Sequence, residues 1–301
     1  MSLFTMSHFS IIIPTFNHGY CLPRAIKSVL NQTFQDFEIV IVNNYSSDNT
    51  VAVVETFKDS RIKLLNFRNN GVIAASRNHG IKNSSGKFVA FLDSDDYWYP
   101  NKLSALLNYC NEYDFIYHAM DHNSNSGRLG KIMPRKLGKR PYIDLLEYGN
   151  CIANSSVVMR RDLLVDLRYL NEDPKLFAIE DFDLWLRVAR SGAKILAIKE
   201  ALGVYWTDSN NISHTTESDF NKINYLYKLH EPYLNSFEKK FIRGSLAYKQ
   251  ARCDSELDQL DIMSKYLLSL IFSRNLKIKC KSALGIAFGW YWRRHQKPSM
   301  Q

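Results

Sequence analysis

Asp93, Asp95 and Asp96 place three carboxylates within four residues, directly after the apolar run Phe88–Leu92. Carboxylates this close repel one another, and a hard divalent cation relieves the repulsion. Mg²⁺ or Mn²⁺ held in this way keeps waters and completes its shell with substrate phosphates, so the segment points to phosphate chemistry. The competing reading is a solvated acidic turn with one Asp capping the next helix. A second acidic group, Glu180, Asp181 and Asp183, opens the amphipathic stretch that ends at Arg190. Acids in a helical first turn are favoured by the dipole alone. Asp183 and Arg187, four residues apart, read as a surface ion pair, and Trp185 reads as core. Other patterns fail on spacing. Gly80 to Lys87 has one residue too many for a P-loop, and Phe88 stands where Ser or Thr is required. His118 and His122 lack the Glu of a zinc helix and read as structural or exposed.

The elements that must position these carboxylates alternate. Phe9–Pro14, Phe37–Val42, Ile62–Phe67 and Phe88–Leu92 read as buried strands. Between them Leu22–Leu30, Val51–Phe57 (with Asp48 as its N-cap) and Val72–Ile81 read as helices. This order predicts an α/β fold with a mostly parallel, doubly wound sheet. Ligands bind such sheets beyond the carboxyl ends of the strands, which singles out residues 14–20, 43–48, 66–72 and 93–99. Past Pro100 the pattern loosens. Lys102–Tyr109 and Phe182–Arg190 read as helices, Phe115–His118, Ser156–Arg160, Ala193–Ile198 and Gly203–Trp206 as strands, and Asn123–Gly130 as a polar turn-rich stretch. From Phe220 onward helices are expected at about 220–234, 237–252, 256–272 and 282–292.

A length of 301 residues suits one large domain or two modest ones, and 46% hydrophobic with 23% charged residues excludes global disorder. The five cysteines form no CxxC pair, which excludes a zinc ribbon or disulfide framework and fits a reducing compartment. No apolar run reaches the length of a membrane span, and the first residues lack the basic and apolar regions of a signal peptide. A cytoplasmic location is therefore expected. The net charge is +9, but eight of those charges follow Asp261, after which there is no acid. The remainder is nearly neutral, which argues against a nucleic-acid partner. Residues 262–301 interleave the cations with Tyr, Leu, Phe and Trp, a composition suited to an anionic membrane surface. A helix packed on the rest with solvated lysines would have the same composition.

The segment Phe88–Pro100, FVAFLDSDDYWYP, resembles the DxD region of family 2 glycosyltransferases, inverting enzymes of GT-A fold. Other segments agree in order. Ser10–Asn17 is similar to the opening strand and nucleotide-contacting loop, and Ala25–Thr33 to the first helix and its exit. Asn69–Val72 with Ala75–Asn78 resembles the loop and helix lining the nucleotide, and Glu180–Arg187 the ED segment. The set covers roughly residues 9–213. The resemblance implies a Rossmann-like, mostly parallel central sheet flanked by helices, with a C-terminal helical segment. It implies Mn²⁺ or Mg²⁺ ligated by Asp95, with Asp93 on the ribose or a metal-bound water. Pro14, Thr15, Asn17, Asn44, Asn70, Gly71, Arg77, Asp93 and Ser94 would surround a nucleoside diphosphate sugar. Asp181 would be the general base on the acceptor hydroxyl, supported by Glu180. The expected reaction moves a sugar, from UDP by preference, onto a hydroxyl of a glycan or lipid-linked glycan with inversion.

Three departures bear on this. Asn43-Asn44-Tyr45 stands where the family carries an aspartate pair. Asn44 still accepts through its carbonyl, so uracil stays readable but UDP preference is weakened. Tyr205-Trp206-Thr207-Asp208 stands where the family carries Tyr-Arg-x-His. Asp208 would replace the His as metal ligand, with His214 a weaker rival. Trp206 removes an Arg that would pair with phosphate, a role left to Arg77 or a Lys. These departures motivate the alternative of a catalytically weak relative that binds nucleotide or glycan. The expected division is a nucleotide-binding half over 1–100, an acceptor-binding half over 101–213 and a helical, basic-aromatic region over 214–301.

Overall fold

The computed structural model describes residues 8–207, 217–253, 259–274 and 276–295. Strands β1 (Phe9–Thr15), β2 (Phe37–Asn43), β3 (Ile62–Asn66) and β4 (Phe88–Phe91) stand where the apolar runs put them. Every residue of β1 and β2 is buried, as strands covered on both faces require. Helices α1 (Leu22–Leu30), α2 (Thr50–Glu55) and α3 (Ile73–Lys82) join them. The four strands are parallel in the order β3-β2-β1-β4. β2 lies on one side of β1 and β4 on the other, so the strand order reverses there. The crevice at the carboxyl ends of β1 and β4 is the binding position in such sheets.

The two faces of this half are covered differently. Phe9, Ile11 and Ile13 of β1 belong to one apolar cluster with Leu22, Ile26 and Val29 of α1. On the other face α3 lies so close that a Cβ at Gly80 would stand 2.9 Å from Ile12 and 3.0 Å from Val42. Glycine is what permits that approach.

The second half adds β5 (Tyr97–Trp98), α4 (Lys102–Leu107), β6 (Phe115–Ser124), β7 (Gly127–Ile132), α5 (Pro141–Tyr148), a 3₁₀ turn at Asn154–Ser156, β8 (Val158–Arg160), α6 (Arg161–Asp166), α7 (Glu180–Arg190) and β9 (Ile195–Thr207). The sheet continues β4-β8-β6-β9-β5, with β7 paired to β6. β6 and β9 are parallel, whereas β8 runs antiparallel to both β4 and β6, and β5 antiparallel to β9. The α/β sheet flanked by helices is borne out, and its antiparallel members all lie beyond β4. Trp185 of α7 is core as expected, its ring 4.9 Å from Phe115 and 6.0 Å from Phe91.

Three local expectations change. The polar stretch Asn123–Gly130 is the turn of a hairpin, because β6 runs on to Ser124 and pairs with β7. The separate runs Ala193–Ile198 and Gly203–Trp206 are one strand. Lys199 and Glu200 bulge out between Ile198, opposite His118, and Ala201, opposite Ala119, which keeps both charges in solvent and both apolar runs in register. Helices α5 and α6 have no counterpart in the sequence reading, being too short to establish a 3.6-residue period.

Four further helices follow: α8 (Glu217–His230), α9 (Ser236–Cys253), α10 (Gln259–Phe272) and α11 (Leu276–His295). The chain divides into two units, one of residues 1–139 with 151–212 and one of 140–150 with 213–301. α5 thus belongs with the C-terminal helices. The Tyr142 hydroxyl donates to the His230 carbonyl at 3.1 Å, and the Arg274 N–H to Glu147 Oε1 at 3.0 Å. No helix among the described residues is long and apolar enough to cross a membrane.

Candidate active site

After β4 the chain makes a tight turn in which the Asp96 N–H donates to the Asp93 carbonyl at 3.1 Å. Asp93 and Asp95 are partly exposed, whereas Ser94 and Asp96 are buried. Asp96 Oδ1 accepts the Trp206 N–H at 2.8 Å, tying the turn to the end of β9. Burial, with Asp95 and Asp93 nearby, raises the Asp96 pKa well above the usual carboxylate range. Beneath it Lys102 is fully buried, and burial pushes its pKa well down. Its Nζ donates to the Ser155 carbonyl at 2.8 Å and lies 3.5 Å from the centre of the Trp98 ring. Ser155 also takes the Asp93 N–H on its Oγ at 3.0 Å and the Trp98 indole N–H on its carbonyl at 2.9 Å. His18 Nδ1 is 2.6 Å from Ser94 Oγ.

Arg77 joins the two acidic segments. Its Nη2 donates to Asp93 Oδ1 at 2.8 Å and its Nη1 to Glu180 Oε1. The guanidinium is buried, so each charge offsets the desolvation of the others. Asn154 Nδ2 donates to the same Asp93 oxygen at 2.9 Å. Glu180 is thereby held by Arg77, and the next residue, Asp181, lies in the first turn of α7. Burial pushes the Asp181 carboxyl up to about 7, the Glu180 charge adds to the shift and Arg77 opposes it. Asp181 Oδ1 accepts the Phe182 N–H at 2.6 Å. Asp183 and Arg187, expected on a surface, form a 2.8 Å pair in which Asp183 is buried. Their face of α7 is turned inward.

The loops after β1, β2 and β3 are bonded to one another. Asn44 N–H donates to the Thr15 carbonyl at 3.0 Å, and Asn44 Oδ1 accepts the Asn69 N–H at 3.0 Å. One lone pair and the Nδ2 donors of Asn44 are left for a ligand. Asn17, with φ 52°, accepts the Ser47 N–H on its Oδ1 at 2.8 Å. Asn70 and Gly71 also have positive φ, at 51° and 82°, which turns the third loop tightly. The buried Thr15 Oγ1 has no hydrogen-bond partner. Pro14 pairs with Val42 between β1 and β2.

The sequence-selected residues of the four loops therefore lie along the carboxyl ends of β1 to β4, and Glu180 reaches them through Arg77. Arg77 itself is engaged by two carboxylates, unlike the phosphate partner the sequence reading made of it. Asp208 and His214 lie outside the described residues. Among the described residues no group of three or more His, Cys, Asp or Glu gathers to hold a metal. Two residues that anchor the turn, Lys102 and Ser155, gave no signal in the sequence. The bond between them spans 53 positions, and the Asp93–Ser155 bond spans 62. Only the fold brings them together.

The profile described as Glycosyl transferase family 2 matches residues 10–167, and the chain belongs to this family. It is a glycosyltransferase. The Escherichia coli enzyme named UDP-Glc:alpha-D-GlcNAc-diphosphoundecaprenol beta-1,3-glucosyltransferase WfgD is 37% identical over 188 residues, which are 60% of this chain and 69% of that one. A longer glycosyltransferase of Rickettsia bellii is matched over only 16% of its own length. Among solved structures, Staphylococcus aureus TarS residues 1–349 in complex with UDP-GlcNAc superposes with a TM-score of 0.66 at 18% identity, covering 97% of this chain and 93% of that one. The mannosyltransferase PcManGT from Pyrobaculum calidifontis, in complex with GDP-Man and Mn²⁺, gives 0.62 at 13% identity, covering 96% and 84%. These likenesses establish the GT-A fold.

Proposed function

We propose that the protein transfers a sugar from a nucleoside diphosphate, UDP by preference, to a hydroxyl of a glycan or lipid-linked glycan with inversion at the anomeric carbon. The observation that carries this is the Asp93–Arg77–Glu180 bridge, which ties the phosphate-side carboxylate to the segment bearing a carboxyl poised near neutral pH. Asp181 takes the acceptor proton as the acceptor oxygen bonds to the anomeric carbon. The bond from that carbon to the diphosphate oxygen breaks, and its electron pair leaves with the nucleoside diphosphate. Attack opposite the leaving group inverts the centre. Glu180 holds Arg77, and Arg77 holds Asp93.

Asp93 and Asp95 would hold Mn²⁺ or Mg²⁺, with Asp208 as a further ligand. Arg77 and Asn154 share Asp93 Oδ1, and two carboxylates with substrate phosphates suit such an ion. When bound, the ion neutralises charge on the leaving diphosphate. The E. coli relative named above acts, by its name, on a diphosphoundecaprenol acceptor with UDP-Glc, which supports a UDP donor and a lipid-linked acceptor. Residues 1–100 are read as the nucleotide half, 101–213 as the acceptor half and 214–301 as the region for an anionic membrane on its cytoplasmic side. Leu267, Leu268, Ile271, Leu276 and Leu284 are exposed there, beside Lys277 and Lys281.

The test is a thermal-shift screen of UDP-, GDP- and dTDP-sugars with Mn²⁺, followed by product analysis. Stabilisation by one nucleotide sugar and a product of inverted configuration are expected. Nucleotide binding without turnover on any glycan acceptor would favour the second reading, a catalytically weak binding relative, for which Asn43-Asn44 and Trp206 speak.

A further inference from the structure

Arg24 stands in the first turn of α1, where the helix dipole disfavours a cation. No carboxylate among the described residues pairs with it. It is nevertheless held firmly. Its guanidinium carbon lies 4.1 Å from the centre of the Trp206 ring and 4.9 Å from that of Tyr97. Nη2 donates to the backbone carbonyl of Asp95 at 2.6 Å, and Nε is buried with no partner. Aromatic faces attract the charge and fix its plane but accept none of its in-plane N–H groups. The charge therefore serves neither the helix nor an ion pair, and it is fixed on the turn that carries Asp93 and Asp95. A planar guanidinium with N–H groups to spare matches phosphate oxygens. Arg77 gives an N–H to each of two carboxylates, whereas the Arg24 guanidinium donates to a backbone carbonyl.

We propose that Arg24 contacts the diphosphate of the donor, with Trp206 and Tyr97 holding its plane. This rests on the reading that the donor is a nucleoside diphosphate sugar. Trp206 then replaces a phosphate-binding side chain indirectly, as the platform for one supplied by α1.

The test uses the full chain with Mn²⁺ and calorimetric titration, competitive for weak ligands. UDP, GDP and dTDP are titrated into the wild type, and the best of them is compared with its own nucleoside in Arg24→Gln and Arg24→Lys. Arg24→Gln is expected to weaken the nucleoside diphosphate about 10- to 100-fold and leave the nucleoside unchanged. Arg24→Lys falls between, since it keeps the charge and loses the fork. Unchanged diphosphate affinity in Arg24→Gln would overturn the proposal. So would an equal loss of diphosphate and nucleoside, which would make Arg24 a pin for the Asp95 turn. A wild type that binds none of the three nucleotides overturns the donor reading, and with it this one.

Discussion

The two acidic segments of the site begin from the same side-chain chemistry and are set in different backbones, a tight turn after β4 and the first turn of α7. After β4 the tight turn closed by the Asp96 N–H on the Asp93 carbonyl leaves Asp93 and Asp95 partly exposed and Asp96 buried. At the start of α7, Glu180 and Asp183 are buried and paired, and Asp181 between them is partly exposed. Each inward carboxylate meets a partner: Asp96 the Trp206 N–H, Glu180 the Arg77 guanidinium and Asp183 that of Arg187. The number of carboxylates in a segment is thus a poor guide to its chemistry. Burial and pairing commit Asp96, Glu180 and Asp183 to the scaffold, while Asp93 is held by Arg77 and Asn154 at the edge of the cleft.

Neighbouring acids of α7 give the sharpest way to break this comparison. Asp181→Asn should lower transfer about 10²- to 10⁴-fold, with donor affinity held within a factor of about two. Retained transfer would remove Asp181 from the role of base. The same chemical change two residues on should do the reverse. Asp183→Asn weakens a buried charge-assisted bond, so stability should fall by about 2 kcal/mol and the melting midpoint by roughly 4–8 °C. Its kcat at a temperature well below the midpoint should match the wild type.

The pH profile tests how the segments are coupled. The Asp181 pKa is raised, so the neutral acid persists to about pH 7 and the basic form is present above it. The acid limb of kcat/KM should therefore fall about tenfold per unit below pH 7. Glu180→Gln removes a negative charge that raises the Asp181 pKa and leaves Arg77, which lowers it. The limb should then move to lower pH. A limb that stays in place would mean that another group titrates there.

The first half of the site was legible because its strands are buried on both faces. Phe9–Pro14 and Phe37–Val42 read as apolar runs, and the loops after them fall at the sheet's ligand end by topology alone. The second half was legible only where a helix is long, as at Phe182–Arg190. The partners of the acidic turn were not legible. Asn154 and Ser155 sit in a 3₁₀ turn of three residues, and Arg77 reaches Glu180 across 103 positions. Polar residues in short irregular segments carry no periodic signal, and their pairing is decided by the fold. Arg77 was placed at the site by resemblance, but its two carboxylate partners emerge only from burial.

Lys102 gives the smallest effect and the finest test of the sorting. A buried ammonium beside an ionised Asp96 would make Lys102→Met costly, because a lone charge would remain in the interior. Burial instead lowers the Lys102 pKa and raises that of Asp96, so each group is driven toward its neutral form. In that state Lys102→Met loses little more than the bond to the Ser155 carbonyl, about 1 kcal/mol, and keeps the packing on Trp98. Chemical denaturation should therefore find a change near that size, with donor affinity preserved. A loss of about 3–5 kcal/mol would instead place a charged pair beneath the turn, and Asp96 would be ionised like the two carboxylates that face the cleft.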